Sequence, residues 1–254
     1  MAEQHKNTGW YVVAILAFVC MLTVNAMANI LPLNGLNTGD VANRYLNLFL
    51  PAALTFSIWS VIYGLLIVFF ILGWRWRHHG FIAKIIPYVA LSCVLNLSWI
   101  IVWHYLFPGL SVLIMLGLLV TLAIIFKIVQ QERSSDLKIK GWLSLSFTIY
   151  FAWICVATIA NIAAFLVSID WRGDVFSEQV WTLIMMSIAA VLALKITSKF
   201  HTTSFSLVVI WALLGIFIRW FESSNHLVVY GSVILVILLT IHVIYINHKH
   251  PSVI

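Results

Sequence analysis

Long apolar runs recur along the whole chain, each closed by a short charged or turn-forming cluster, and no other feature limits its fold so tightly. A helix needs roughly 20 apolar residues to cross a hydrocarbon core of about 30 Å. Eight runs reach or approach that length, at about 10–31, 53–74, 83–106, 109–130, 142–168, 179–198, 203–221 and 226–247. They are continuous rather than alternating, which argues against a transmembrane β-barrel. Charged residues make up 9% of the sequence, against about one quarter in soluble domains. The expected fold is an all-α integral membrane protein of about eight transmembrane helices.

Loop charges set the expected orientation. With an inside amino terminus, Lys6, Arg75, Arg77, Lys84, Lys127, Arg133, Lys138, Lys140, Lys195, Lys199 and Lys249 fall on one side, and only Arg44, Arg172 and Arg219 on the other. This positive-inside bias places both termini on the cytoplasmic side, as in a bacterial inner membrane. Asp40, Asp170, Asp174, Glu178 and Glu222 fall outside. The net charge of +6 follows from topology and calls for no nucleic-acid partner. Ala26-Met27-Ala28 has the form of a signal-peptidase site, but the apolar run continues past it, so the first span is expected to stay uncleaved. Cys20, Cys93 and Cys155 all lie within spans and read as small buried hydrophobes.

Polar and large aromatic residues gather in the outer halves of four spans. Asn25 and Asn29 share a face of the first, being four residues apart. Phe56, Trp59 and Tyr63 open the second; Asn96, Trp99, Trp103 and His104 close the third; Trp153, Ala157 and Asn161 follow at i, i+4 and i+8 in the fifth. Helix adhesion by amides and interfacial aromatic belts account for any one of these. Their concentration at one depth points instead to a cavity, because buried polar groups in lipid need partners. The connection 32–52 lies over the same side and is long enough to act as a lid. Gly35 and Gly39 can supply its turns, and Leu46, Leu48, Phe49 and Leu50 can fold back onto the bundle.

Three segments carry a resemblance: "PAALTFSIWSVIY" (51–63), "LNLSWIIVWHY" (95–105) and "YFAWICVATIAN" (150–161). They resemble the TspO/translocator family, the tryptophan-rich sensory proteins. Pro51, Phe56, Trp59, Ile62 and Tyr63 match the second-helix motif. Leu95, Asn96, Trp99 and Trp103 match the third, with His104 replacing an aromatic. Tyr150, Trp153, Ala157 and Asn161 match the fifth, with Ile149 and Ala160 in place of proline and leucine. The likeness covers about residues 10–168. It implies a five-helix bundle (1–168) whose cavity, closed by the first loop, binds a porphyrin, haem-like or sterol-like ligand; some members take part in light-dependent porphyrin breakdown. Residues 169–254 then form three additional C-terminal helices.

The departures bear on function. The family's further tryptophan near the start of the second helix is replaced in the Ala53–Leu54 region, which weakens a photochemical reading. His104 adds a group able to ligate a haem iron, although a histidine at that depth more often donates a hydrogen bond to a loop carbonyl. Lys195, Lys127 and Arg219 read as snorkelling cations, His242 as interfacial, and His78-His79 as part of a basic loop. Nucleophile elbow, P-loop, H-E-x-x-H and dinucleotide signatures are all missing, so neither catalytic nor metal-ligating residues are expected and no cofactor is required. The expected ligand-contacting set is Asn25, Asn29, Phe56, Trp59, Tyr63, Asn96, Trp99, Trp103, His104, Tyr150, Trp153 and Asn161. The expected partners are a hydrophobic small molecule and the lipid bilayer, with a homodimer left open. A small-molecule transporter is the rival reading, although the two halves lack the internal repeat common in transporters. The last three helices could instead serve as an assembly platform.

Overall fold

In the computed structural model, residues 2–31, 33–132, 137–171, 173 and 175–249 are described, with backbone only for 2–6 and 137–140. Arg133, Arg172, Asp174 and Pro32 lie outside the described residues, as do the side chains of Lys6, Lys138 and Lys140 and the tail after Lys249. Helices α1 (Ala2–Ile30), α2 (Thr38–Arg44), α3 (Ile58–Gly73), α4 (Gly80–His104), α5 (Pro108–Gln131), α6 (Leu137–Ser168), α7 (Glu178–Phe200), α8 (Thr203–Trp220) and α9 (His226–Lys249) follow in order. Short 3-10 turns at Leu33–Gly35, Ala53–Ser57 and Trp74–Trp76 join them. Among the described residues, eight helical segments are long and apolar enough to span a membrane. The protein is therefore a multi-pass integral membrane protein.

Local chemistry sets the helix ends. Pro108 opens α5 in its first turn, where its missing N–H costs nothing. Ser177 caps α7 by accepting from the Val180 N–H at 3.4 Å. The third span begins at Gly80, three residues before the apolar run suggests, because the His79 ring accepts from the Phe81 N–H and caps α4. His79 is thus a helix cap as well as a loop residue. α7 and α8 are joined by His201 in the left-handed region (φ 53°) and Thr202. A polar clasp closes this corner: the Thr197 hydroxyl reaches Ser206 at 2.8 Å and the Thr202 carbonyl at 3.2 Å.

The long connection is more ordered than a loop. Asn37 and Asp40 bond reciprocally, each backbone N–H donating to the other's side chain at 3.0 Å, which caps α2 in the manner of a capping box. Gly35 does supply a turn (φ 72°), together with Asn34 (φ 55°), whereas Gly39 sits inside α2. Leu48, Phe49 and Leu50 are buried as expected; Leu46 is not. Asn47 organises that run by accepting from the Phe49 N–H and donating to the Tyr45 carbonyl. Cys20 also differs from expectation: it is exposed, while Cys93 and Cys155 are buried. A weakly polar thiol can face acyl chains at little cost, so burial in protein is not required of it.

The chain divides into two units, residues 1–41 with 59–151, and residues 42–58 with 152–254. In the first, α4 packs against both α1 and α5. Tyr11 joins α1 to α3, its hydroxyl donating to the Phe70 carbonyl at 3.0 Å while its ring meets Phe69, Phe70 and Trp74. In the second, α7, α8 and α9 pack together and α8 also holds the 53–57 turn. The Ala52 N–H donates to the Gly215 carbonyl at 2.9 Å, and the Trp211 indole donates to the Thr55 carbonyl at 2.9 Å. A Cβ at Gly215 would lie 2.9 Å from Thr55 Cβ and closer still to its hydroxyl, so glycine is what admits this approach. Arg219, read as snorkelling, instead donates to Asn43 at 2.8 Å and lies over Trp220.

Candidate functional site

Nine of the twelve expected site residues fall in the first unit. A relay of amides and a phenol runs through it. Asn25 on α1 donates to the Met21 carbonyl at 2.9 Å and to Asn96 Oδ1 on α4 at 3.0 Å. Asn96 Nδ2 donates to the Tyr150 hydroxyl on α6 at 3.1 Å. All three residues are buried, Asn96 and Tyr150 completely. Asn29, although one turn from Asn25, is exposed and turns its amide back to the Asn25 carbonyl.

Beside the relay stands a ladder of rings. Trp59 stacks on Tyr63 (5.6 Å, 25°) and on Trp99 (6.0 Å, 27°), and Trp99 stacks on Trp103 (6.3 Å, 19°). Trp59 also meets Tyr150 edge-on at 6.2 Å, which ties the ladder to the relay. Trp99 and Trp103 are buried; Trp59 and Tyr63 are half-buried. The helical spacings explain this geometry: Trp59 and Tyr63 lie four apart on α3, and Trp99 and Trp103 four apart on α4, so each pair shares a face. Two polar atoms of the ladder are buried without a hydrogen bond, Trp99 Nε1 and the Tyr63 hydroxyl.

His104 is taken up in hydrogen bonds rather than held open for an iron. Its ring is fully buried, with Nδ1 2.8 Å from the Ile100 carbonyl; a carbonyl only accepts, so Nδ1 carries the proton. In the neutral ring this leaves Nε2 to accept from the Thr38 hydroxyl, 3.4 Å away at the start of α2. The His104 carbonyl accepts from Asn34 at 3.1 Å. His104 thus fastens the first connection to the end of α4, with both ring nitrogens engaged and neither free for an iron. Sequence reading missed Asn34 and Thr38 as its partners. The signal was the Asn37-to-Asp40 spacing, which announces a helix start beside them.

Phe56, Trp153 and Asn161 belong to the second unit. Phe56 meets Trp153 edge-on at 6.2 Å and 88°, and Trp153 and Asn161 are buried. In each unit the expected tryptophans therefore turn inward rather than onto the outer surface.

A family model described as TSPO-like protein matches residues 11–245. The chain belongs to that family. The match runs through the last three spans as well as the region that carries the motifs. No match was found among curated proteins or among solved structures. In this TSPO-like protein the Trp59, Trp99 and Asn96 positions of the recognised motifs meet in one ring-and-amide cluster of the first unit.

Proposed function

We propose that this TSPO-like membrane protein binds a flat hydrophobic ligand, a tetrapyrrole or sterol-like molecule, against the ladder of Tyr63, Trp59, Trp99 and Trp103, in a ligand-handling or sensory role. The buried, unbonded Trp99 N–H within a run of stacked rings carries this reading. A buried donor without a partner costs about 1–3 kcal/mol, and a carbonyl or carboxylate on a stacked ligand would recover that loss. Ring centroids 6.0 and 6.3 Å apart leave no room for insertion, since two contacts of about 3.5 Å would need roughly 7 Å. The ligand therefore lies along the half-buried flank of Trp59 and Tyr63, and the first connection, fastened by His104, acts as its lid. The distribution of basic residues supports placing both termini on the cytoplasmic side of a bacterial inner membrane.

Titration with protoporphyrin IX, read by quenching of tryptophan fluorescence, tests the proposal. Saturable quenching at micromolar ligand is expected. Trp59→Leu should weaken it by about 2- to 12-fold, the worth of one aromatic contact at roughly 0.5–1.5 kcal/mol. Quenching that never saturates, or that ignores Trp59, overturns the proposal; saturable flux of a small solute into proteoliposomes would favour a transporter instead.

A further inference from the structure

A cavity of about 210 Å³ lies in the first unit at the end where α3 runs into the Trp74–Trp76 turn. It is lined by Phe69 and Leu72 of α3, Trp76 of the turn, Ile82 of α4, and Trp142 and Leu143 of α6. The lining is almost wholly apolar, and the volume falls below the roughly 300–1,000 Å³ of drug-sized sites. That volume suits a stretch of acyl chain rather than a large ring system. The connection that ends at this cavity is basic: Arg75 and Arg77 flank the lining Trp76 in sequence, Arg75 exposed and Arg77 half-buried. The Arg77 guanidinium lies 4.4 Å from the Trp74 ring centroid and one Nη donates to the Trp74 carbonyl at 2.8 Å, yet its Nε–H is buried with no partner. No acidic residue occurs anywhere from Val41 to Gln131, so no carboxylate on α3 or α4 offsets these charges. Trp142 and Trp74 remain largely exposed beside the cavity, the amphipathic residues favoured at headgroup depth.

We propose that this cavity is a specific site for one anionic phospholipid, with part of an acyl chain in the apolar cleft and the phosphate held by Arg77 and Arg75, which flank the lining Trp76. Apolar contact alone cannot select a lipid from a bilayer, because the tails around the protein are equally apolar. Selection comes from the headgroup: each basic side chain near an anionic lipid surface favours it by a factor of about five. The unbonded Arg77 N–H supplies a donor fixed in place, and neither α3 nor α4 carries an acid to compete with the anion. This site stands apart from the ring ladder and does not depend on the ligand proposed there.

Native mass spectrometry of the full chain, purified in detergent and offered equal phosphatidylglycerol and phosphatidylcholine of the same chain length, tests the site. One phosphatidylglycerol should be retained, several-fold over phosphatidylcholine. Arg77→Gln should lower that preference about fivefold, and Arg75→Gln/Arg77→Gln more. Ser146→Phe, which fills the cavity wall, should abolish retention of a single lipid; if it fails to fold, the charge variants still decide. Equal retention of both lipids, a preference untouched by Arg77→Gln, or occupation of the face by a second copy of the chain would each overturn the proposal.

Discussion

Replacing Asn96 by leucine isolates the energetic role of the buried relay. Asn96 makes two hydrogen bonds between helices, accepting from Asn25 at 3.0 Å and donating to Tyr150 at 3.1 Å. Such bonds average about 0.6 kcal/mol in membranes, with a maximum near 1.7, so their loss costs about 1.2 kcal/mol. Asn25 keeps the Met21 carbonyl, but the fully buried Tyr150 hydroxyl loses the only partner seen for it among the described residues. Stranding it adds about 1–3 kcal/mol, for a total of about 2–4 kcal/mol. Tyr150→Phe alone removes one bond and leaves the Asn96 amide half-used, at about 1–2 kcal/mol. Combining Asn96→Leu with Tyr150→Phe removes the stranded hydroxyl and leaves only the two lost bonds, so the double variant should cost about 2–5 kcal/mol less than the sum. Unfolding by SDS in mixed micelles, followed by circular dichroism, measures all three. Additivity within about 0.5 kcal/mol would refute the idea that these groups act as one network.

Three further outcomes are expected. Gly215→Val should destabilise the protein by about 1–3 kcal/mol through overpacking against Thr55, and Thr55→Ala should return part of that in the same unfolding assay. Asn34→Ala with Thr38→Val should release the first connection from His104; at about 0.5–1.5 kcal/mol per bond, hydrogen exchange over residues 33–45 should rise several-fold while the spans stay protected. Cys20→Phe, on an exposed face, should change stability by less than about 0.5 kcal/mol, whereas Cys93→Phe should cost about 1–3 kcal/mol by overpacking in the same unfolding assay; equal losses at the two positions would contradict the packing.

Sequence reading captured the spans because a membrane makes a simple demand, a sustained apolar helix. The observed second span, 53–76, and fourth, 108–131, begin at or within one residue of the expected positions. Inward-facing tryptophans were legible for a similar reason, since Trp59 with Tyr63 and Trp99 with Trp103 repeat at four residues. What escaped prediction depends on partners distant in the chain. Nothing near Gly215 announces that Thr55 will press against it, 160 positions away. Asn29 shares a helical face with Asn25, yet turns its amide onto its own helix because the Asn25 carbonyl is the nearest acceptor. Cys20 was misplaced because in lipid, unlike water, exposure and apolar surroundings coincide.

The division of labour among the polar groups sharpens the ligand proposal. Asn25, Asn96 and Tyr150 satisfy one another, and His104 is committed to the first connection. Recruiting any of these to a ligand would break a bond already made, and the exchange would gain little. Trp99 Nε1 and the Tyr63 hydroxyl carry no such debt, being buried and without a hydrogen bond in the ladder. Polar recognition therefore falls to these two, while the amides hold the helices at the spacing the rings require. Trp99→Phe should accordingly weaken binding of a porphyrin carboxylate without loosening the fold, whereas Asn96→Leu should loosen the fold first and lose the ligand only as a consequence. If Asn96→Leu abolished porphyrin quenching while leaving SDS stability unchanged, the assignment would be reversed, with the amide as the anchor and the indole N–H as a bystander.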